Sequence, residues 1–399
     1  MTREEIYNQC VQKIDKTNGL MLELATGTGK SKIAIDLINH LVETKYKGKK
    51  TSLLLLVAKR VHKQTWKDEI SKWGGLNVDS ITMECYESMH KHTGNHYTFI
   101  LMDEIHHVKS EARMLCLSRI RYDYMLGLSA TIPRKLKQVL SYRYRAEVVS
   151  CDISEAIEDN ILPEPEILLF PLMLEDRAAT ETWEINTKAK GPVVYGDIKD
   201  IWKYKKQKVH AILSCTQKRK LIEFNNLIAW EKNQYMMTGK EPLKQSWLYH
   251  AGRRLEWLAD IKTGIIKDIL KHLDKHRTIT FCKSIAQAET VGKHCIHSKN
   301  ADADKLYNDF NAKVIDHITA VNILNENANL VDCKYAVFCN LSSSDVVIPQ
   351  RLGRSMRHQH PVIIFPYYTG TREEEIVKEM LADFNKDYIK TITNIKEIT

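Results

Sequence analysis

Apolar runs of strand length alternate with helical periods at both ends of this chain. Near the start, "LMLEL" (20–24) leads into a helical pattern carrying Ile33, Leu37, Ile38 and Leu41 on one side. Then come "TSLLLLV" (51–57), a helix near 60–73, "YTFILM" (97–102) and "YMLGLSA" (124–130). Strands separated by helical stretches predict βαβ units and a mostly parallel sheet. The rhythm returns in "RTITFC" (277–282), "DHITAV" (316–321), "KYAVFC" (334–339) and "PVIIFPYY" (361–368), which predicts a second α/β domain. The strand-like "EPEILLFPLML" (164–174) opens it. The expected fold class is therefore α/β, with two parallel-sheet domains in tandem, 1–163 and 164–399.

Between about 176 and 260 the strand signal is poor and long helical periods dominate, so this stretch is read as a helical insert within the second domain. The region from 164 to 277 holds five of the seven tryptophans. In "IWKYKKQKVH" aromatic and basic side chains interleave, a pattern suited to stacking on bases while tracking phosphates; a packed tryptophan core is the rival explanation for the same aromatics.

Charge sharpens this picture. The net charge is +9, and from Lys188 to Lys220 ten Lys and Arg face two carboxylates within 33 residues. Nearly the whole excess is concentrated there, which points to a polyanionic partner, with a solvated helix face as the plainer reading. Lys203, Lys205 and Lys206 are its candidate nucleic-acid contacts. The longest aliphatic run, "LLLLVA" at 53–58, is too short to span a bilayer, and "MTREEIYNQC" lacks an apolar signal core. Nine scattered cysteines without a Cys-x-x-Cys pair fit reduced thiols, and an intracellular, cytoplasmic protein without a membrane partner is expected. His90, His92 and His96 cluster in sequence, but no carboxylate or thiol completes a metal set there.

The most specific chemistry lies in "ATGTGKS" (25–31), between the first strand and the first long helical pattern. Gly27 and Gly29 let the backbone turn its N–H groups toward phosphate oxygens, and the following helix adds its positive end. Thr26, Gly27, Thr28, Gly29, Lys30 and Ser31 form the expected nucleotide site. Lys30 supplies charge for the β and γ phosphates and Ser31 a hydroxyl for Mg²⁺, so ATP and Mg²⁺ are the expected cofactors. The general phosphate-loop pattern has a glycine where Leu24 stands. In "FILMDEIHH", Asp103 and Glu104 follow an apolar strand, at the edge where open α/β sheets bind ligands. Asp103 suits the Mg²⁺ shell and Glu104 the polarisation of water.

Taken together, "ATGTGKS", "DEIHH" (103–107), "SAT" (129–131) and "QRLGRSMR" (350–357) resemble motifs I, II, III and VI of superfamily 2 DExH-type helicases and translocases, in that order. "VAKRVHKQTWKDEISKW" (57–73) is similar to the motif Ia segment, and "RTITFCKSIAQAE" (277–289) to motif IV. Bacterial and phage translocases and restriction-enzyme motor subunits are the nearest in pattern. The resemblance implies two RecA-like domains with ATP between them. It also implies arginine fingers at Arg354 and Arg357, with Gln350 ordering nucleotide and water. His106, Ser129 and Thr131 would couple the γ-phosphate to nucleic acid, and Gln9 would contact adenine. Lys59, Arg60, Gln64, Tyr86 and Ser88 would line the strand path. One departure is Asn327, which stands where motif V of these relatives has glycine; asparagine tolerates left-handed geometry better than other non-glycine residues.

The implied function is an ATP-dependent helicase or translocase, with DNA favoured as partner and RNA as the alternative. A third reading is an ATP-gated clamp, or the motor subunit of a defence or repair assembly whose protein partners supply target choice.

Overall fold

A computed structural model describes residues 1–321, 330–341, 358–382 and 384–399. The chain begins with helix α1 (Arg3–Lys16), whose N-terminus is closed by a reciprocal Thr2–Glu5 capping box. Ile6, Cys10 and Ile14, one helical turn apart, form its buried stripe. Six strands follow: β1 (Gly19–Leu24), β2 (Ser52–Val57), β3 (Ser80–Cys85), β4 (His96–Asp103), β5 (Arg121–Ser129) and β6 (Ala146–Cys151). They form one sheet in the order β3-β2-β4-β5-β1-β6, with every neighbouring pair parallel. Parallel sheets carry helices on both faces, so their central strands read as continuous apolar runs. Leu53 to Val57 of β2 accordingly have no exposed surface. Helices α2 (Lys30–Lys45), α3 (Arg60–Lys72), α4 (Glu111–Arg119), α5 (Arg134–Tyr144) and α6 (Ile153–Glu158) complete this half.

Strand β7 (Glu166–Leu172) belongs to a different sheet. It lies between β15 (Val362–Tyr368) and β16 (Ile389–Thr391), parallel to both. The full order is β12-β13-β11-β14-β15-β7-β16, adding β11 (Thr278–Phe281), β12 (Cys295–Ile296), β13 (His317–Ala320) and β14 (Tyr335–Phe338). All of these strands run parallel too. The two parallel sheets have the tandem RecA-like arrangement that the alternating pattern and the resemblance pointed to.

The stretch between β7 and β11 differs from a purely helical insert. It holds a small sheet in the order β8-β10-β9, made of β8 (Glu181–Ile185), β9 (Val194–Asp197) and β10 (Ala211–Cys215). The short helix α7 (Ile201–Gln207) covers one face of it, packing Ile201 and Tyr204 against Ile185, Ala211 and Leu213. A long helical hairpin follows, α8 (Gln217–Thr238) and α9 (Glu241–Ile261), and then α10 (Thr263–His272). These strands are only four or five residues long, and β8 and β9 are at least half polar, so their runs are too short to mark them against the surrounding helical periods.

The tryptophans divide between the two readings of their role. Trp183 meets Phe224 edge-on and Phe224 stacks on Trp257, making a packed aromatic core. Trp202 and Trp230 stay exposed. Both ends of the stretch are pinned to the end of β15. Leu172 O accepts from Thr369 N–H at 2.9 Å. Lys262 Nζ donates to Pro366 O at 3.1 Å and Tyr368 Oη to Ile261 O at 3.4 Å. Lys262 and Glu373 form a fully buried ion pair at 2.6 Å, the latter on α13 (Arg372–Met380), numbered after α11 (Ile285–Val291) and α12 (Ala303–Asn311).

Candidate nucleotide and coupling site

Strand order brings the three motifs of the first sheet side by side, because β4, β5 and β1 are neighbours. Asp103 lies opposite Leu128, and Glu23 opposite Ser129. The loops after these strands therefore open on one carboxyl edge.

After β1 the chain turns through 25–29 into α2. Gly27 and Gly29 both have φ near +100°, where a side chain is strained, and a Cβ at Gly29 would meet nothing within 4 Å. Thr28 is buried, with its Oγ1 donating to Ala25 O at 2.8 Å. Ala25 N–H is tied to Cys151 O of β6 at 2.8 Å. Arg3 Nε donates to Thr28 O at 3.2 Å, so the first turn of α1 braces the loop. Lys30 Nζ sits over the turn, donating to Leu24 O at 2.8 Å and Ala25 O at 3.3 Å. Thr26 and Ser31 are half-buried at its rim. Glycine backbone, a lysine and the open positive end of a 16-residue helix with no acidic residue in its first turn fit a polyphosphate.

At the end of β4, Asp103 and Glu104 are both buried, and Glu104 adopts left-handed geometry with φ +51°. Trp66 Nε1 donates to Asp103 Oδ2 at 2.9 Å, and Tyr86 Oη to Asp103 O at 2.8 Å. Ser129 Oγ lies 3.2 Å from Glu104 Oε2, 3.1 Å from His106 Nδ1 and 2.8 Å from Thr131 O. It also accepts from Thr131 N–H at 3.3 Å, and His106 Nδ1 is 3.4 Å from Glu104 Oε2. Glu104, His106, Ser129 and Thr131 thus form one connected cluster. The turn carrying His106 packs closely on β5 at Gly127, where a Cβ would run into Ile105 Cδ1. Glu23 joins β1 to the segment after "SAT", accepting from Ile132 N–H at 2.7 Å and pairing with Lys137 at 2.7 Å.

The remaining candidates are dispersed. Lys59 immediately precedes α3, and Lys59, Arg60 and Gln64 are exposed, with Gln64 Nε2 donating to Asp68 Oδ1 at 2.8 Å. Tyr86 is not on the surface: it is 2% exposed, burial pushes its phenol pKa well above the ordinary value, and its hydroxyl serves Asp103. Ser88 is half-buried nearby. Gln9 lies on α1, with Nε2 2.9 Å from Met1 Sδ. Lys203, Lys205 and Lys206 are exposed on α7. Gln350, Arg354, Arg357 and Asn327 lie outside the described residues. Among the described residues, no three His, Cys, Asp or Glu side chains gather as a metal site; His96 turns to Asp123 and His92 to Tyr97. No described helix is long and apolar enough to cross a membrane.

Sequence reasoning missed Arg3, Glu23 and Trp66. None carries a local signal, since each gains its role from a partner far along the chain.

Residues 2–134 match the model of the type III restriction enzyme res subunit, and residues 261–359 that of the helicase conserved C-terminal domain. The chain is a superfamily 2 helicase-type protein. It is similar to the DNA 3'-5' translocase XPB2 of Sulfurisphaera tokodaii, 26% identical over 127 residues, which are 29% of this chain and 27% of that protein. The match thus spans well under two thirds of the relative's length. Among solved structures, the ATP-dependent Type ISP restriction-modification enzyme LlaBIII bound to DNA is 12% identical with TM-score 0.59, over 99% of this chain and 31% of that one. S. cerevisiae Dbp5 bound to RNA and ADP BeF3 is 11% identical with TM-score 0.55, over 97% of this chain and 89% of that one. At these identities the structural likeness is one of fold.

Proposed function

We propose that this protein is an ATP-driven motor acting on nucleic acid, with DNA as the favoured track, inside the cell. The observation that carries the reading is the Ser129 cluster. One hydroxyl within hydrogen-bond reach of both Glu104 and His106 gives the hydrolytic carboxylate a mechanical neighbour on the adjacent strand. A simple phosphate-binding switch has no need of it.

In this reading Thr26 to Ser31 hold the phosphates of ATP, and Gln9 reads the base. Ser31 and Asp103 hold Mg²⁺, which as a bound cation neutralises phosphate charge. Trp66 and Tyr86 fix the Asp103 carboxylate and backbone. Glu104 polarises the attacking water, and its burial beside Ser129 holds it in one position. Gln350, Arg354 and Arg357 would act from the second unit, 164–399, on the nucleotide held by the first, 1–163. Planar guanidinium groups there neutralise charge developing on the phosphoryl group and contribute about 10³–10⁵ in rate. In this reading Lys59, Arg60, Gln64 and Ser88 contact the strand, and the basic insert offers a second contact through Lys203, Lys205 and Lys206.

One observation supports a second reading, the motor part of a larger assembly: this chain corresponds to 31% of the restriction-modification enzyme it resembles in fold. An ATP-gated clamp or an RNA-directed motor would use the same site.

The test is steady-state ATP hydrolysis with no polymer, single-stranded DNA, duplex DNA and RNA, with Glu104→Gln as the blank. Strong stimulation by one polymer, abolished in Glu104→Gln, is expected. Hydrolysis indifferent to every polymer would sink the motor reading.

A further inference from the structure

The basic stretch of the insert is not uniform once its partners are known. Its last three cations are matched by the protein's own carboxylates: Lys218 pairs with Asp176 at 3.3 Å, Arg219 with Glu223 at 2.7 Å and Lys220 with Glu181 at 2.8 Å. The seven lysines from Lys188 to Lys208 make no ion pair among the described residues, and only Asp197 and Asp200 are interspersed with them. Asp197 is occupied in capping, accepting from Lys199 N–H at 2.8 Å. The unneutralised charge therefore gathers around α7.

Helix α7 already spends Ile201 and Tyr204 on the small core beneath it. Its outer side carries Lys203, Lys205, Lys206 and a tryptophan, Trp202, that is 75% exposed. Trp202 takes no part in the small core beneath α7. Lys205 Nζ stands over the Trp202 ring, 4.9 Å from its centroid, a cation–π contact that keeps charge and indole together. The loop bearing Lys188 and Lys190 is tied to the same end of the module. Asn186 Nδ2 donates to Tyr204 O at 3.3 Å and to Val209 O at 2.9 Å, flanking Lys208.

We propose that the outer face of α7 is a single-strand docking site, in which Trp202 stacks on an unpaired base while Lys203, Lys205 and Lys206 hold the flanking phosphates. It rests on the nucleic-acid reading above and deepens it, because stacking requires a free base face that a duplex hides along its length. Charge alone would grip duplex and single strand alike. An indole beside three lysines that make no ion pair among the described residues favours the strand whose bases are open. The site discriminates by strandedness and not by sugar, so oligo-dT and oligo-U are both ligands of it.

The test is fluorescence anisotropy of labelled oligo-dT, oligo-U and a duplex of equal length with the full chain, without nucleotide, over a range of salt. Trp202→Ala is expected to weaken oligo-dT binding about tenfold, within the range that loss of one stacked base produces, while sparing the duplex. Trp202→Phe, which keeps a stacking ring, should recover most of the loss. Replacing Lys203, Lys205 and Lys206 by Gln should flatten the log–log salt slope by about 2 for single strands. Single-strand affinity unchanged in Trp202→Ala overturns the proposal. Equal loss on duplex and single strand also overturns it, leaving a surface of charge without stacking. The wild-type hydrolysis assay is read separately: polymer-indifferent hydrolysis with an intact Trp202 effect would reject the motor and keep the docking site.

Discussion

The indole N–H of Trp66 donates to the carboxylate of Asp103 across 37 residues of sequence, at 2.9 Å and with both groups buried. Trp66 lies on the inner side of α3, whose outer side carries Arg60 and Gln64. The helix proposed to meet a nucleic-acid strand thus holds, from behind, the aspartate proposed to bind Mg²⁺. Trp66→Phe keeps the ring and removes the donor. A hydrogen bond to a charged group contributes about 1.5–3 kcal/mol, so the Mg²⁺ concentration for half-maximal hydrolysis should rise by about tenfold or more. A Mg²⁺ titration with an unchanged midpoint would show that the bond serves packing only.

Ser129→Ala removes the hydroxyl shared by Glu104, His106 and Thr131. Basal hydrolysis should fall a few-fold, whereas stimulation by nucleic acid should fall much further. The quantity to measure is the ratio of stimulated to basal rate. A proportionate fall in both would place Ser129 in hydrolysis and remove it from coupling.

Gly127→Ala sets a methyl group into Ile105 Cδ1 on a buried strand. Overpacking of this kind costs about 1–3 kcal/mol, and the turn that carries His106 must move to relieve it. Urea denaturation should show the loss, and Ile105→Val in the same chain should restore part of it. Two losses that simply add would mean that the clash is relieved elsewhere.

Lys262→Met leaves Glu373 buried without its cation. Breaking a buried pair from one side costs about 3–5 kcal/mol, whereas replacing both partners by apolar residues is often near neutral. Thermal melts should therefore rank the chains wild type, then Lys262→Met with Glu373→Leu, then Lys262→Met alone. A double variant as unstable as the single one would contradict this account.

Burial pushes the thiols of Cys10, Cys333 and Cys339 up to about 12. An unfolded cysteine ionises near pH 8.5, so between about 8.5 and 12 the native chain holds protons that the unfolded chain releases. The stabilisation is complete below about 8.5 and is lost as pH rises toward about 12. Iodoacetamide at pH 8 should label Cys116, the one cysteine that is not buried, and leave these three intact. Mass spectrometry of the native protein checks it; rapid labelling of Cys339 would refute it.

Much of the fold was legible because parallel strands buried on both faces advertise themselves. Leu53 to Val57 and Thr98 to Met102 could hardly be anything else. Edge strands do not: β3, "SITMEC", starts with three polar or exposed positions, and β8 alternates Trp183 with Glu184 on a sheet that is half solvated. The insert's helices were legible by length, its strands were not. At the candidate site, the glycine-rich turn at 25–31 and the Asp103–Glu104 pair stood out as local motifs at the ends of apolar strands. The resemblance put Tyr86 on the strand path, yet its ring is buried and its hydroxyl donates to Asp103 O. Likewise, counting charges from Lys188 to Lys220 cannot tell that Glu181 and Glu223 claim the last cations, since each pairing needs the folded chain.

Entry to the insert at Leu172 and departure at Ile261 and Lys262 both hold on to the end of β15, at Pro366, Tyr368 and the Thr369 that follows it. An excursion of some ninety residues that leaves and rejoins at one place is topologically a cassette. Its helices also seat on that place, since Leu221, Phe224, Trp257 and Leu258 pack with Tyr368. In the proposed reading, a change confined to this segment would alter what the protein grips while leaving residues 25–31 and 103–131 in place.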